Sequence, residues 1–316
     1  MATRVTRAPG KAMLIGEYAV LGGAPAAVAA VDCYAEARLL PGTPGSPFIE
    51  QAIREAGHAL SALGASTRSP GELVPVVDTQ SFSVGGRKLG VGSSASATVA
   101  AVGAVLDAAG IDVTAAAVRT VVRQAATTAH DAAQGVRGSG ADVLAATFGG
   151  LCILNSPKAL ADGSGAAAPQ LPARLCFVAT PTSVATAGLV ARYREIGAAN
   201  QAATQALAAA AERFLQAVWD QSFAELAAAV AQAYAGYEAL GAAMDRPLIT
   251  EDHARVAKAA QRAGGIAKPS GAGGGDLAVV FLPDEAAVAA LQQALPPELP
   301  LLGLQMSPRG LHCVEM

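Results

Sequence analysis

Aromatic residues make up only 4% of this 316-residue chain and charged residues only 15%. Hydrophobic content is nonetheless 52%, because alanine supplies much of it. That balance predicts a soluble α/β protein whose helices meet through small side chains. The net charge of −3 offers no bulk positive field, which argues against nucleic-acid binding. An anionic ligand would have to be held by a few placed cations. The four cysteines, Cys33, Cys152, Cys176 and Cys313, are widely separated and form no CxxC pair, which argues against a zinc site and suits a reducing, cytoplasmic setting. The N-terminus lacks a secretory pattern, since Arg4, Arg7 and Lys11 are followed by Glu17 rather than an apolar core. The uncharged run Leu89–Leu106 holds too many glycines and serines for a good membrane span. No GxxxxGK[ST] occurs, which excludes a P-loop.

What the chain does have is glycine in clusters beside charge. The run Gly90-Val91-Gly92-Ser93-Ser94-Ala95-Ser96 lies between an extended segment and an apolar-periodic one with Val99, Val102, Val105 and Leu106 at helical spacing. A loop at a helix N-terminus offers backbone N–H groups to phosphate. The run also fits GxGxxA, yet a dinucleotide fold wants that motif after its first strand and an acid at the end of the second, and here several strands precede it. A tight turn with close helix packing explains the loop equally well when it is taken alone. A second cluster, Ala8-Pro9-Gly10-Lys11, runs into Ile15-Gly16-Glu17-Tyr18-Ala19-Val20-Leu21-Gly22-Gly23 and sets a lysine in an apolar strand, which is costly unless its charge meets a partner or reaches water. A third, Lys268-Pro269-Ser270-Gly271-Ala272-Gly273-Gly274-Gly275-Asp276, precedes the apolar strand 277–282 and reads either as a hinge or as backbone freed to approach a ligand. In a fourth, Gly138-Ser139-Gly140-Ala141-Asp142-Val143, Asp142 either caps the following helix or serves as a base.

Strands are predicted at 3–7, 12–21, 27–39, 73–84, 150–154, 175–180, 277–282 and 311–315. Helices are predicted at 49–63, after the first glycine loop to Gly110, at 114–134, in two long segments beyond 180, and at 251–263 and 284–295. Ser222 and Glu225 have capping-box spacing. The Pro-, Gly-, Ala- and Ser-rich stretch 155–172 is the best domain boundary.

In chain order the clusters resemble the GHMP kinase family. The lysine segment is similar to that family's PGKxxLxGEYAVL stretch. The Gly90–Ser96 run is similar to its GLGSSA loop, with Val91 for leucine and Ser96 for a frequent alanine, and the third cluster to its GAGGGD loop. Within the family the detail is most similar to the phosphomevalonate kinases: Glu17-Tyr18, Ala129-His130, Ala133-Gln134-Gly135, the GSGADV run and Lys268-Pro269-Ser270 all match. The chain is shorter than many of them between about 41 and 72. It also has only small residues before Leu189-Val190, where relatives often carry a basic or polar one.

The resemblance implies a two-domain α/β (α+β) GHMP kinase fold, divided as 1–160 and 170–316, with the active site in the cleft between. It implies ATP and Mg²⁺ as cofactors and transfer of phosphate to mevalonate 5-phosphate, with mevalonate kinase or another small-alcohol kinase as the alternative. A non-catalytic ATP or metabolite sensor ranks behind these. Lys11 and Asp142 would be catalytic, and Gly90, Val91, Gly92, Ser93, Ser94 and Ala95 would cradle the nucleotide phosphates. Ser94 and Asp131 would bind the metal. Glu17, Tyr18, Arg137, Ser139, Gly140, Arg192, Ser270, Gly271, Ala272 and Gly273 would hold the acceptor. Lys88, Arg137, Arg192 and Arg194 are the candidate cations for the acceptor's phosphate. Nothing in the resemblance calls for a membrane or nucleic acid, and monomer and homodimer both remain open.

Overall fold

The computed structural model describes residues 4–65, 73–156, 170–182, 184 and 186–315. Most of the expected boundary at 155–172 lies outside them.

Strand β1 (Arg4–Ile15) merges the two strands expected at 3–7 and 12–21 and stops at Ile15, after which the chain turns into a short 3-10 segment at Ala19–Gly22. Its register against β2 (Ala26–Pro41) shifts between Pro9 and Gly10. That shift bends β1 without breaking it, as a bulge does, so the gap expected at 8–11 is a bulge within one strand. Helix α1 (Pro47–Ala62) follows, then β3 (Leu73–Asp78). The extended segment expected to reach 84 is interrupted by a 3-10 turn at Gln80–Phe82 and closes as a hairpin of β4 (Ser83–Val84) and β5 (Arg87–Lys88).

Helix α2 (Ser93–Ala108) begins directly after the glycine loop. It is buried almost all round, as an apolar helix must be, and packs on β1 and β2. Helix α3 (Ala116–Gln134) starts two residues later than expected, because the Asp112 carboxylate accepts both the Thr114 N–H at 2.9 Å and its hydroxyl at 2.6 Å and holds that stretch as a turn. Helix α4 (Ala141–Phe148) and β6 (Leu151–Leu154) complete the first half. Its sheet has the order β1-β2-β3, extended beside β1 by the C-terminal strand 312–315, with β6 on the opening stretch of β2.

The second half contributes β7 (Arg174–Ala179), α5 (Thr186–Ile196), α6 (Gln201–Trp219), α7 (Phe223–Met244), α8 (Glu251–Arg262), β8 (Ile266–Pro269), β9 (Leu277–Leu282), α9 (Glu285–Ala294) and β10 (Leu301–Leu302). Its sheet has the order β10-β7-β9-β8. The chain then returns to the first sheet through β11 (His312–Glu315). Among the described residues every strand pairing is antiparallel, so no Rossmann βαβ unit is present.

At the start of α7 only half of the expected capping box forms. The Ser222 hydroxyl accepts the Glu225 N–H, but the Glu225 carboxylate turns to Arg213 at 2.8 Å. The complete box belongs to α8, where the Thr250 hydroxyl accepts the His253 N–H and His253 Nδ1 accepts the Thr250 N–H. Burial holds the His253 imidazole at about 4, against 6.5 for a free histidine. The unfolded chain therefore takes up this proton first, and the stability that neutral His253 contributes is full above pH 6.5 and lost as pH falls toward 4. The wild type is expected to lose about 2 kcal/mol from this group between pH 7 and pH 5. A His253→Asn variant, which retains a capping acceptor, would lose correspondingly less in denaturant titrations at the two pH values. Equal losses would show that His253 does not drive the effect.

Candidate active site

The first cavity, about 320 Å³, is lined by Phe82, Lys88, Gly90, Val91, Gly92, Ser93, Val184 and Asp276. Gly90 and Gly92 have φ of +69° and +81°, and the second of these serves as the N-cap of α2. The amides of the helix's first turn have no carbonyl one turn back to receive them, so they and the helix dipole bring partial positive charge to this end of the helix. Ser93 belongs to that turn and lines the cavity, Ser94 is part-buried, and Ala95 is buried. The C-terminal glycine bend closes the other side. A Cβ built on Gly90 would lie 2.6 Å from Asp276 Cβ. Asp276 itself holds φ +63°, anchored by its N–H on the Thr182 carbonyl at 2.6 Å.

The second cavity, about 300 Å³, brings together Lys11, Glu17, Tyr18, Asp131, Arg137, Ser139, Gly140, Asp142, Gly271 and Ala272, with Val20, Leu21, Val136 and Val190 as apolar wall. Lys11 stands between the two cavities. Its N–H donates to the Val91 carbonyl at 2.8 Å. Its side chain runs across Gly92, where an added Cβ would lie 3.0 Å from Cγ and 3.2 Å from Cε, and Nζ lies 4.0 Å from the corresponding point on Gly271. The first and third clusters therefore flank one lysine supplied by the second. Asp142 sits in the first turn of α4, its Oδ1 accepting the N–H of Val143 at 2.9 Å, while Ser139 Oγ accepts the Ala141 N–H at 3.3 Å. Asp131 Oδ1 accepts the Gly138 N–H at 3.0 Å and so steadies the loop that carries Arg137 and Ser139.

Several expected residues are engaged elsewhere. Arg192 does not line the cavity: its guanidinium donates to the Met244 carbonyl at 3.2 Å and pairs with Glu195 at 3.0 Å. Arg194 instead reaches the main-chain carbonyl of Arg137 at 3.0 Å. Lys88 lines the first cavity rather than the second. Ser270 donates to the Met13 carbonyl at 3.0 Å, and Gly273 packs on Leu248 and Tyr237, where an added Cβ would lie 2.6 Å from the Leu248 oxygen. Both therefore brace the bend from behind. Glu17 is 4% exposed and forms a buried pair with Lys268 at 2.5 Å.

Sequence reasoning gave no role to His130 or Phe82. The imidazole Nε2 of buried His130 lies 3.1 Å from Ser94 Oγ and 3.3 Å from Gln134 Nε2, so it links the glycine loop to the floor of the second cavity. Its place beside Gln134, one helical turn on, was the available signal. Phe82 was hidden by the reading of 73–84 as one strand.

Residues 79–150, which hold the first glycine loop and Asp142, match the family described as GHMP kinases N terminal domain. The chain carries a GHMP kinase N-terminal domain. The GHMP kinase fold extends over the rest of the chain as well. The Streptococcus pneumoniae phosphomevalonate kinase in complex with phosphomevalonate and AMPPNP superposes with a TM-score of 0.77 at 19% identity, over 95% of this chain and 99% of that one. The L. major mevalonate kinase in complex with R-mevalonate gives 0.67 at 22% identity, covering 96% of each chain. The Lactococcus lactis galactokinase complexed with galactose gives 0.65 at 14% identity, over 99% of this chain and 95% of that one. At these identities the likeness is one of fold. No curated relative matches the sequence at a significant level. Among the described residues of this GHMP kinase fold, no helix is long and apolar enough to cross a membrane.

Proposed function

We propose that this GHMP kinase fold transfers the γ-phosphoryl group of ATP to the phosphate of mevalonate 5-phosphate, giving mevalonate 5-diphosphate and ADP, with residues 1–160 and 170–316 as its two domains. The observation that carries the reading is Lys11 standing between a cavity floored by the first turn of α2 and a second cavity lined by Arg137, Ser139, Asp142, Gly271 and Ala272.

Phosphoryl transfer depends mainly on positioning and charge neutralisation. In this reading the amides of the Gly90–Ala95 loop hold the ATP phosphates, and Lys11 Nζ meets the charge that builds on the transferred group. Ser139 and the Gly271–Ala272 bend hold the acceptor, and Arg137 meets its phosphate, while Arg194 braces the Arg137 carbonyl. Asp142 orients the acceptor oxygen. Among the described residues no cluster of three or more His, Cys, Asp or Glu side chains forms a metal cage. Mg²⁺ does not need such a cage, because it is ordinarily bound through one or two protein carboxylates together with substrate phosphates. By the family resemblance Ser94 and Asp131 would hold it; Ser94 Oγ lies 3.1 Å from His130 Nε2, and Asp131 Oδ1 accepts the Gly138 N–H. When bound, the ion would supply positive charge that offsets the negative charge of the nucleotide phosphates.

A phosphate acceptor is largely ionised at neutral pH, so it needs a base less than an alcohol does. Asp142→Asn is therefore expected to lower kcat by no more than about 10²-fold, the lower end of what general bases contribute. Complete loss of turnover with ATP binding intact would mark Asp142 as an obligatory base.

The second reading, a mevalonate or other small-alcohol kinase, is favoured by one observation: with Arg192 tied to Met244 and Glu195, Arg137 is the one arginine among the described residues that line the second cavity. Initial rates of ADP release with mevalonate 5-phosphate, mevalonate, homoserine and galactose separate the two. The proposal expects the phosphorylated acceptor to lead by at least tenfold in kcat/KM. Preference for an unphosphorylated alcohol would reject it, and absence of ADP with every acceptor would favour a sensor.

A further inference from the structure

Lys268 is a motif residue that the reaction does not use. It lies on β8, 1% exposed, and its ammonium is enclosed on all sides. Nζ donates to Glu17 Oε1 at 2.5 Å and to the Pro269 carbonyl at 2.7 Å, and it sits 5.3 Å from the centre of the Tyr237 ring. Burial pushes the Lys268 pKa down, and the carboxylate of Glu17 opposes that shift. A buried pair of this kind is a poor source of stability, since well-packed apolar residues of similar volume do as well or better. Its value must be looked for in what it orients.

The same Glu17 Oε1 accepts the Gly271 N–H at 3.3 Å. The Gly271 carbonyl accepts the hydroxyl of fully buried Tyr237 at 2.5 Å, and the Ala272 carbonyl accepts the Tyr18 hydroxyl at 2.6 Å. Gly271 is thus held at both its N–H and its carbonyl. The clamp does not draw on the Ala272 N–H, and Ala272 lines the second cavity. Glu17 and Tyr18 come from the first half of the chain, Tyr237 and Lys268 from the second.

We propose that Lys268 is a positioning residue: by fixing the Glu17 carboxylate on the Gly271 amide, it locks the Gly271–Ala272 bend in the geometry that presents it to the acceptor. This deepens the phosphotransferase reading and rests on it only for its kinetic arm.

The test compares the wild type with Lys268→Met and with the double variant Glu17→Leu/Lys268→Met. The double variant leaves no unpaired buried charge, so it carries the test if the single variant does not fold. Hydrogen exchange of unliganded protein is followed in peptides spanning 270–275 and 93–108, with thermal midpoints and Michaelis constants for ATP and acceptor. Expected in the double variant are a midpoint near the wild type, exchange in 270–275 faster by at least tenfold, unchanged exchange in 93–108, and an acceptor KM raised by at least tenfold with the ATP KM within twofold. Wild-type exchange in 270–275 in a double variant of wild-type stability would overturn the proposal. Should the wild type itself release no ADP with any acceptor, the reaction reading fails, while the exchange comparison still decides whether the Lys268–Glu17 pair holds the bend.

Discussion

Lys11→Met is expected to cut kcat by about 10²–10³-fold, the loss seen when one preorganised charge-stabilising group is removed from a reacting centre. ATP affinity and the thermal midpoint should change little. The separation follows from geometry. The lysine N–H that bonds Val91 is main chain and survives substitution. Methionine keeps most of the side chain's length over Gly92, where Lys11 Cγ, Cε and Cδ make the close approach. What is removed is the ammonium 4.0 Å from the Cβ position of Gly271, at the boundary between the two cavities. Stopped or continuous ADP assays together with calorimetric MgATP titration give both quantities. A variant that turns over normally would show that the charge does not face the transferred group.

Gly90→Ala is expected to weaken MgATP binding by at least tenfold, about 1.4 kcal/mol. Two causes act at once. At φ +69° an L-residue is strained by about 1–2 kcal/mol. In addition, the new methyl would lie 2.6 Å from Asp276 Cβ, so the two bends facing the first cavity would have to separate. Gly110→Ala supplies the control, because Gly110 has φ +80° with nothing within 4 Å of an added Cβ. It bears the strain without the collision. Calorimetry on both variants decides. If Gly90→Ala binds MgATP as well as Gly110→Ala does, the two bends do not form one nucleotide site.

The sequence made the bends legible because each carries its own local signature: glycines that permit positive φ, set beside a lysine, a serine or an aspartate. The helix after the first loop could be read for the same reason, since Val99, Val102 and Leu106 repeat on one face and all three are buried. Strand β8 was missed because four residues containing Lys268 and Pro269 have no alternation to detect, and its pairing with β9 is tertiary. The same limit applies to the acceptor contacts. Nothing local announces that Glu17 meets Lys268 across 251 residues, or that the Met244 carbonyl takes Arg192 out of the cavity across 52. Charge type and nearness to a motif selected Arg192 and Lys88 alike, and neither criterion carries direction. His130 illustrates the opposite case: its i, i+4 neighbour Gln134 was visible, but its contact with Ser94 depends on α3 packing beside α2.

The most direct measurement is a ³¹P NMR time course of the wild-type protein with ATP, Mg²⁺ and mevalonate 5-phosphate. The account predicts that the monoester resonance of the acceptor gives way to a coupled pair from a diphosphate monoester, in step with the appearance of ADP. ADP accompanied only by inorganic phosphate, or an acceptor resonance that persists while an alcohol in the same tube is phosphorylated, would contradict it.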